Sequence, residues 1–330
     1  MARNKEDVWA IVFSDLHLTR YKQHNEGNRR IKNALDVIRR VELMAKMYDC
    51  IKIFTGDLFD KEKHITNPLF SDVLPYLGKV YSKTKNKTYA ISGNHDQSDA
   101  NLIGKPSYSY IQTLSNTFKG IQCLDFKSKS FGDIEVYGVP FLTHDLGLIG
   151  HIRKLKIDKS KMNVLLLHTT MPNVKETDGR AMHSHMPTND FEEAIARFDL
   201  VLTGHIHRPM EMKVAKTTVI QVGAPQQQRF TDRDCEMGCW VIYKNLEVEF
   251  VPFSKYPKFV ELEPGENKPD NDNFYVQTKV KKDKSTTVIK KNKFNVNSSG
   301  SKLARNYCKE KKIKDKEKKK ALKESLKKVT

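Results

Sequence analysis

Ile91-Ser92-Gly93-Asn94-His95-Asp96 is the stretch on which the reading of this chain turns. The β-branched and apolar run from Thr88 to Ile91 predicts a strand. Gly93 then frees the backbone to turn, and three side chains follow that can bind a metal or move a proton. A Gly-Asn pair also marks ordinary turns, so the stretch takes its meaning from its company.

Four other strand ends carry a similar load. Val8 to Phe13 reads as a buried strand running into Ser14-Asp15-Leu16-His17. Ile51 to Thr55 runs into Gly56-Asp57-Leu58-Phe59-Asp60. Val164 to Leu167 delivers His168. Leu200 to Thr203 delivers Gly204-His205-Ile206-His207, whose two histidines would face one way on an extended segment.

Helices are predicted between these strands. From Asn28 to Met47 the apolar Ile31, Leu35, Ile38, Val41 and Ala45 fall at helical spacing, with Arg and Lys opposite. Asn67-Pro68 opens a second helix, which Pro75 should bend or interrupt. Shorter helices are expected from Pro106 to Leu114, from His144 to Leu155, and from Asn189 to Arg197, the last with Glu192 as capping partner. Strand-helix alternation over the first hundred or so residues predicts an α/β fold. Residues 121–139 read as a hairpin around Phe131-Gly132-Asp133, and 210–215, 217–222, 238–243 and 246–252 as antiparallel strands. Strands thin out after Pro252, with one more from Asn273 to Val280. His183 and His185 are expected to face solvent, and His64 to stay outside any site.

Charge is unevenly placed. The 330 residues carry +18, but 271–330 hold 20 Lys+Arg against 6 Asp+Glu, leaving only +4 for the rest. A basic terminal segment suits a polyanionic partner such as nucleic acid, or a solubilising tail. From Lys302 to Val329 the pattern is that of a weakly amphipathic basic helix. The five cysteines are odd in number and sparse, Cys235 and Cys239 reading as structural thiols. With no leader-like start and no apolar run near 20 residues, the expectation is a soluble protein of a reducing cytoplasm, without a membrane span.

Gathered together, the loaded ends offer Asp15, His17, Asp57, Asn94, His95, His168, His205 and His207. Oxygen donors mixed with imidazoles suit Mn²⁺, Fe²⁺ or Zn²⁺ better than an all-oxygen Mg²⁺ or Ca²⁺ site. Seven of the eight, leaving His95 out, fit two ions if one carboxylate bridges. Such a pair, roughly 3.5–4 Å apart, is the arrangement for in-line displacement at phosphorus.

These residues also carry a resemblance. Ser14-Asp15-Leu16-His17, Gly56-Asp57-Leu58-Phe59-Asp60, Gly93-Asn94-His95-Asp96, His168 and Gly204-His205-Ile206-His207 match, in order, the motifs of calcineurin-like metallophosphoesterases. Within them the chain resembles the SbcD-type DNA repair and recombination nucleases, phage homologues included, with Val222-Gly223-Ala224-Pro225 through Arg229-Phe230 adding to that likeness. The resemblance implies an α/β fold, a β-sandwich flanked by helices, over 1–253. A reduced capping element or linker (254–300) and a basic tail (301–330) that binds DNA or an ATPase would follow. It implies that Asp15, His17 and His207 hold one ion, that Asn94, His168 and His205 hold the other, and that Asp57 bridges them. His95 would then do chemistry at phosphorus and Asp96 would orient His95 through a hydrogen bond. Asp60 stands where some relatives carry a histidine.

The function implied is a hydrolase: a Mn²⁺-dependent DNA nuclease, 3′-to-5′ exonuclease on duplexes and endonuclease on single strands. Its partner would be an SMC-like ATPase of the SbcC type, and relatives dimerise through helices beside the site. Its setting would be the cytoplasm, the host's if phage-encoded. The alternative is a phosphatase or phosphodiesterase of the same superfamily acting on a small molecule or phosphoprotein. Lys61 after Asp60, and Asp96 closing the third motif, count against the protein-phosphatase branch.

Overall fold

The computed structural model describes residues 7–21, 24, 26–60, 65–83, 85–98, 108–172, 174, 186–267 and 274–278. His64, His183, His185 and the basic tail therefore lie outside the described residues. The strands are β1 (Val8–Phe13), β2 (Ile51–Phe54), β3 (Thr88–Ala90), β4 (Ile121–Cys123), β5 (Lys127–Phe131), β6 (Ile134–Val139) and β7 (Met162–His168). They continue as β8 (Leu200–Gly204), β9 (Met210–Val214), β10 (Thr217–Gln221), β11 (Gly238–Tyr243), β12 (Val248–Pro252), β13 (Lys258–Leu262) and β14 (Phe274–Thr278). The helices are α1 (Arg29–Tyr48), α2 (Asn67–Tyr81), α3 (Tyr110–Thr117), α4 (Asp145–Lys154) and α5 (Thr188–Ile195).

Two six-stranded mixed sheets result, in the orders β12-β11-β1-β2-β3-β4 and β5-β6-β7-β8-β10-β9, with β13 and β14 as a separate parallel ribbon. Strand periodicity decides what each face meets. Ala10 and Val12 of β1, Val164 and Leu166 of β7, and Trp240 and Ile242 of β11 share one buried layer between the sheets. Their neighbours Ile11, Phe13 and Val241 turn the other way and pack with Ile31, Ile38 and Val41 of α1 and with Val73 and Leu77 of α2. On the far side Leu165, Leu167 and Val201 pack with Ile149 and Ile152 of α4 and Phe191 of α5. The architecture is a helix-flanked sandwich of two mixed sheets, as the resemblance implies.

The parallel pairs β1·β2, β2·β3, β6·β7 and β7·β8 are each joined by one crossover helix. Helical crossovers bring all those strands out at the same end, so their carboxyl ends converge on one edge of the sandwich. Register does the rest: Phe13 pairs Phe54, Phe54 pairs Ala90, and His168 pairs Gly204. The polar residues that follow each pairing therefore arrive level with one another.

Local expectations fail where geometry offered an alternative. Pro75 does not interrupt α2. It lies on the exposed side, as does Ser71, whose carbonyl loses its helical partner there and can be solvated. Asn189 does not cap α5; Pro187 takes that place, with no side-chain cap. The chain after Pro252 is richer in strand than its pattern suggests, because β13 pairs β14 from Lys258/Phe274 to Leu262/Thr278. Cys50, Cys123 and Cys239 are buried free thiols, each pushed up by burial. Among the described residues no helix is long and apolar enough to cross a membrane.

Candidate metal centre

At the converging strand ends the backbone leaves ordinary geometry. Asp15 (φ 51°), His17 (φ 45°), Asp57 (φ 61°) and His205 (φ 97°) all occupy positive φ. Each such non-glycine residue costs about 1–3 kcal/mol and persists only where its surroundings over-determine it. Here they do. Asp15 N–H donates to Gly56 O at 2.9 Å, His17 N–H to Asp57 O at 3.1 Å, and Leu18 N–H to Leu58 O at 2.8 Å. His205 N–H lies 3.2 Å from both Asp15 carboxylate oxygens. Gly56, at φ 104°, has no room for a side chain, since a Cβ would sit 2.6 Å from Gly93 N and from His168 Nδ1. A Cβ at Gly93 would overlap the Asp57 carboxylate.

These turns gather side chains into two donor groups, Asp15 with His17 and His207, and Asp57 with His168 and His205. In the first, His17 Nε2 lies 3.1 Å from His207 Nε2 and 3.8 Å from Asp15 Oδ1. In the second, Asn94 Oδ1 sits between His205 Nδ1 at 2.9 Å and His168 Nε2 at 3.2 Å. Asp57 Oδ2 joins them, 3.2 Å from His168 Nε2 and 3.7 Å from His17 Nε2. The donors fit divalent cations: anionic oxygens and imidazole nitrogens aim at common points, two of those nitrogens at each other. His205 and His207 do not face one way, as an extended segment would require. The positive φ of His205 breaks the alternation and sends the two rings to different groups. Asn94, His95 and His205 are half-buried, which places the open side of the site there.

Asp96 differs from expectation. It is 1% exposed, and its carboxylate accepts from Asp57 N–H (2.7 Å), Leu58 N–H (2.9 Å) and Gly93 N–H (3.0 Å). It braces the Gly56–Leu58 turn and does not orient His95. The short turn from Asn94 to Asp96 folds the carboxylate back under its own backbone. His95 is held instead by the main chain of Asp60, whose carbonyl accepts from Nδ1 at 2.8 Å. A carbonyl only accepts, so Nδ1 carries the proton and Nε2 is left to the open side. A third group of candidate ligands, His17, Asp60 and His95, adjoins the first.

Partners behind the donors orient the rings. His168 Nδ1 donates to Thr55 O at 2.6 Å, which turns Nε2 inward. Asp232 Oδ2 lies 3.5 Å from His207 Nδ1 and does the same for that ring. Asp232 was not among the sequence candidates. Outer partners of this kind are worth about 10–100-fold in metal affinity. Asp232→Asn is accordingly expected to weaken divalent-cation binding at the Asp15, His17 and His207 group by about that factor, read by calorimetric titration with Mn²⁺ as the probe.

The charges are mutually tuned. Burial opposes ionisation of Asp57, but His168 and His17 hold its carboxyl far below the usual range. Burial would lower His168, yet Asp57 pushes it up to about 9. Burial, then the charge of His168, pushes His205 down to about 4. Burial and the nearby Asp57 push Asp96 up to about 7. At pH 7 the metal-free His168 therefore carries a proton that a cation must displace, because imidazole ligates only when neutral. Mn²⁺ binding should release about one proton per chain at pH 7 and weaken as pH falls. Calorimetry in two buffers of different ionisation heat measures this; zero proton release would mean that His168 is already neutral.

The family described as calcineurin-like phosphoesterase matches residues 9–209, a span that contains every donor named above. Among solved structures, the TT1561 protein of Thermus thermophilus is similar at 12% identity (TM-score 0.44; 74% of this chain, 98% of that one). A dimetal phosphatase from Danio rerio is similar at 9% identity (TM-score 0.45; 72% and 93%). A novel archaeal phosphodiesterase is similar at 12% identity (TM-score 0.38; 74% and 99%). No curated protein matches the sequence.

Proposed function

The chain belongs to the calcineurin-like phosphoesterase family, metal-dependent hydrolases with a dinuclear centre, and on that premise we propose that it is a DNA nuclease cleaving phosphodiester bonds. The observation that carries phosphodiester hydrolysis is the pair of donor groups sharing the Asp57 carboxylate. Asp15, His17 and His207 would hold one ion, Asn94, His168 and His205 the other, and Asp57 both. Mn²⁺ suits this mixed set of oxygen and nitrogen donors. When bound, such ions supply Lewis acidity and a nucleophilic water at neutral pH.

The protein's own residues do the remaining work. His95, with Nδ1–H fixed on Asp60 O, presents Nε2 to hold or deliver a proton at the leaving oxygen. Phe141 lies against His205 and His168, ring centroids 5.8 and 6.3 Å away, and limits water on that wall. Asp96 fixes the turn that presents Asp57.

DNA as substrate is supported by the strand-end motifs and by the +14 carried by residues 271–330. Its end, the basic tail 301–330, is the part we assign to DNA or to an SMC-like ATPase of the SbcC type, with 254–300 as the reduced cap or linker. The test is Mn²⁺-dependent cleavage of end-labelled duplex DNA beside a small phosphodiester such as bis-p-nitrophenyl phosphate. Laddering from DNA ends supports the nuclease. Turnover of the small ester with DNA left intact would make the chain a small-molecule phosphodiesterase instead. Salt dependence separates the tail's role: if it contacts phosphates, removing 271–330 flattens the fall of affinity with salt.

A further inference from the structure

The turn from Ser14 to Leu18 carries two residues at positive φ, and the Gly56–Leu58 backbone braces only its amide side. Its carbonyl side meets a buried cluster from a distant part of the chain. Gln228 Nε2 donates to Asp15 O at 3.3 Å and to Leu16 O at 3.2 Å. The Tyr21 hydroxyl lies 3.0 Å from His17 O and 2.6 Å from Gln228 Oε1, within donating reach of both.

Gln228 is itself fixed. Its N–H donates to Asp232 Oδ2 at 2.8 Å, the same oxygen that faces His207 Nδ1. Its carbonyl accepts from Arg30 Nη2 at 2.6 Å. The Arg30 guanidinium lies 3.4 Å over the Tyr21 ring, and 5.3 and 5.7 Å from the centroids of Tyr275 and Phe259 on the β14 and β13 ribbon. One amide side chain thus ties together the carbonyls of the Asp15–His17 turn, and its own backbone ties to the partner of His207.

We propose that Gln228 is a positioning residue for the Asp15, His17 and His207 half of the centre, held from behind by Arg30 and Tyr21 under the β13–β14 ribbon. The proposal rests on the two-ion reading above. Gln228 binds no metal. It keeps the costly turn in the one shape in which Asp15 and His17 share a focus with His207. The hydrogen bonds that Gln228 donates, to Asp15 O, Leu16 O and the Asp232 partner of His207, run to that half, so its loss should be felt unequally by the two ions.

The experiment uses the full chain with Gln228→Leu and Gln228→Glu, and Mn²⁺ alone as probe. Calorimetric titration of Gln228→Leu should show one of the two sites weakened about 10–100-fold and the other within about twofold of wild type. Hydrogen exchange on the metal-free chain should show faster exchange at Asp15 to Leu18, with β7 unchanged. Gln228→Glu keeps an acceptor for Tyr21 but offers the carbonyls no donor, so it should not rescue. Wild-type affinity at both sites, equal weakening of both with loss of protection in β7, or rescue by glutamate would overturn the proposal. A wild-type chain that binds fewer than two Mn²⁺ would bring down the two-ion reading and this proposal with it. That result is distinct from two intact sites indifferent to the substitution.

Discussion

Asp57→Asn is expected to abolish Mn²⁺-dependent cleavage, lowering kcat/KM by about 10⁴-fold or more, or roughly 5 kcal/mol of transition-state stabilisation. The substitution is nearly isosteric. Asparagine can still accept from His95 N–H, as Asp57 Oδ1 does at 2.9 Å, and its backbone N–H still reaches Asp96. What disappears is one negative charge at the point both donor groups share. Imidazoles without that charge face two cations with Asp15 as the only carboxylate among the seven donors. Both ions should therefore bind more weakly, in contrast to Asp232→Asn, which should affect one. Metal content after dialysis against Mn²⁺ reads this directly. In the metal-free chain a second signature follows: without Asp57 only the charge of Asp15 and the Thr55 carbonyl still offset burial at His168, so its pKa falls from about 9. NMR titration of that ring checks the direction. Two tightly held ions and tenth-level activity in Asp57→Asn would show that the carboxylate does not bridge.

The part of this site legible in the sequence is the part that strand periodicity places. His168 ends a buried strand, Asp15, Asp57, Asn94 and His205 each follow one within a few residues, and parallel pairing brings those ends level. An apolar run followed by polar donors is a local pattern, so it can be read locally. The roles of Asp96 and Asp60 were not legible because they depend on where a backbone group points. Asp96 looks like a partner for His95 by adjacency, yet the tight turn aims it at the amides of residues 57, 58 and 93. Asp232 and Gln228 lie far in sequence from the turn they support, in a polar loop with no periodicity to mark it. In the sequence this stretch was marked by the likeness that runs from Val222 through Arg229-Phe230, which assigns no role to Gln228; the structure adds that Gln226, Gln227 and Gln228 are all buried, which glutamines seldom are without fixed partners. β13 escaped for a related reason. Phe259 is its one buried residue, the rest being exposed or half-buried, and it becomes a strand by pairing with β14.

His95→Ala should separate chemistry from metal binding. The ring is anchored outside the two groups that share Asp57: Nδ1 donates to Asp60 O at 2.8 Å, and the ring meets His17 edge-on with centroids 5.0 Å apart. Its backbone N–H, which supports Asp57, survives truncation. Both Mn²⁺ sites should therefore retain affinities within a few-fold of wild type. The cleavage rate should fall by about 10²–10⁴-fold, the usual contribution of a positioned general acid or base. The loss should appear in kcat more than in KM, because a group that meets the leaving oxygen acts mainly in the transition state. It should also depend on the substrate. An ester with a good leaving group, such as a p-nitrophenyl ester, needs little protonation and should be cleaved by His95→Ala nearly as well as by wild type. A DNA phosphodiester, whose leaving alkoxide is strongly basic, should show the full defect. If both substrates lose the same factor, His95 stabilises charge at phosphorus and does not protonate the leaving group. If metal is lost as well, the third donor group of His17, Asp60 and His95 is the one occupied, and the division between ligands and catalyst must be redrawn around it.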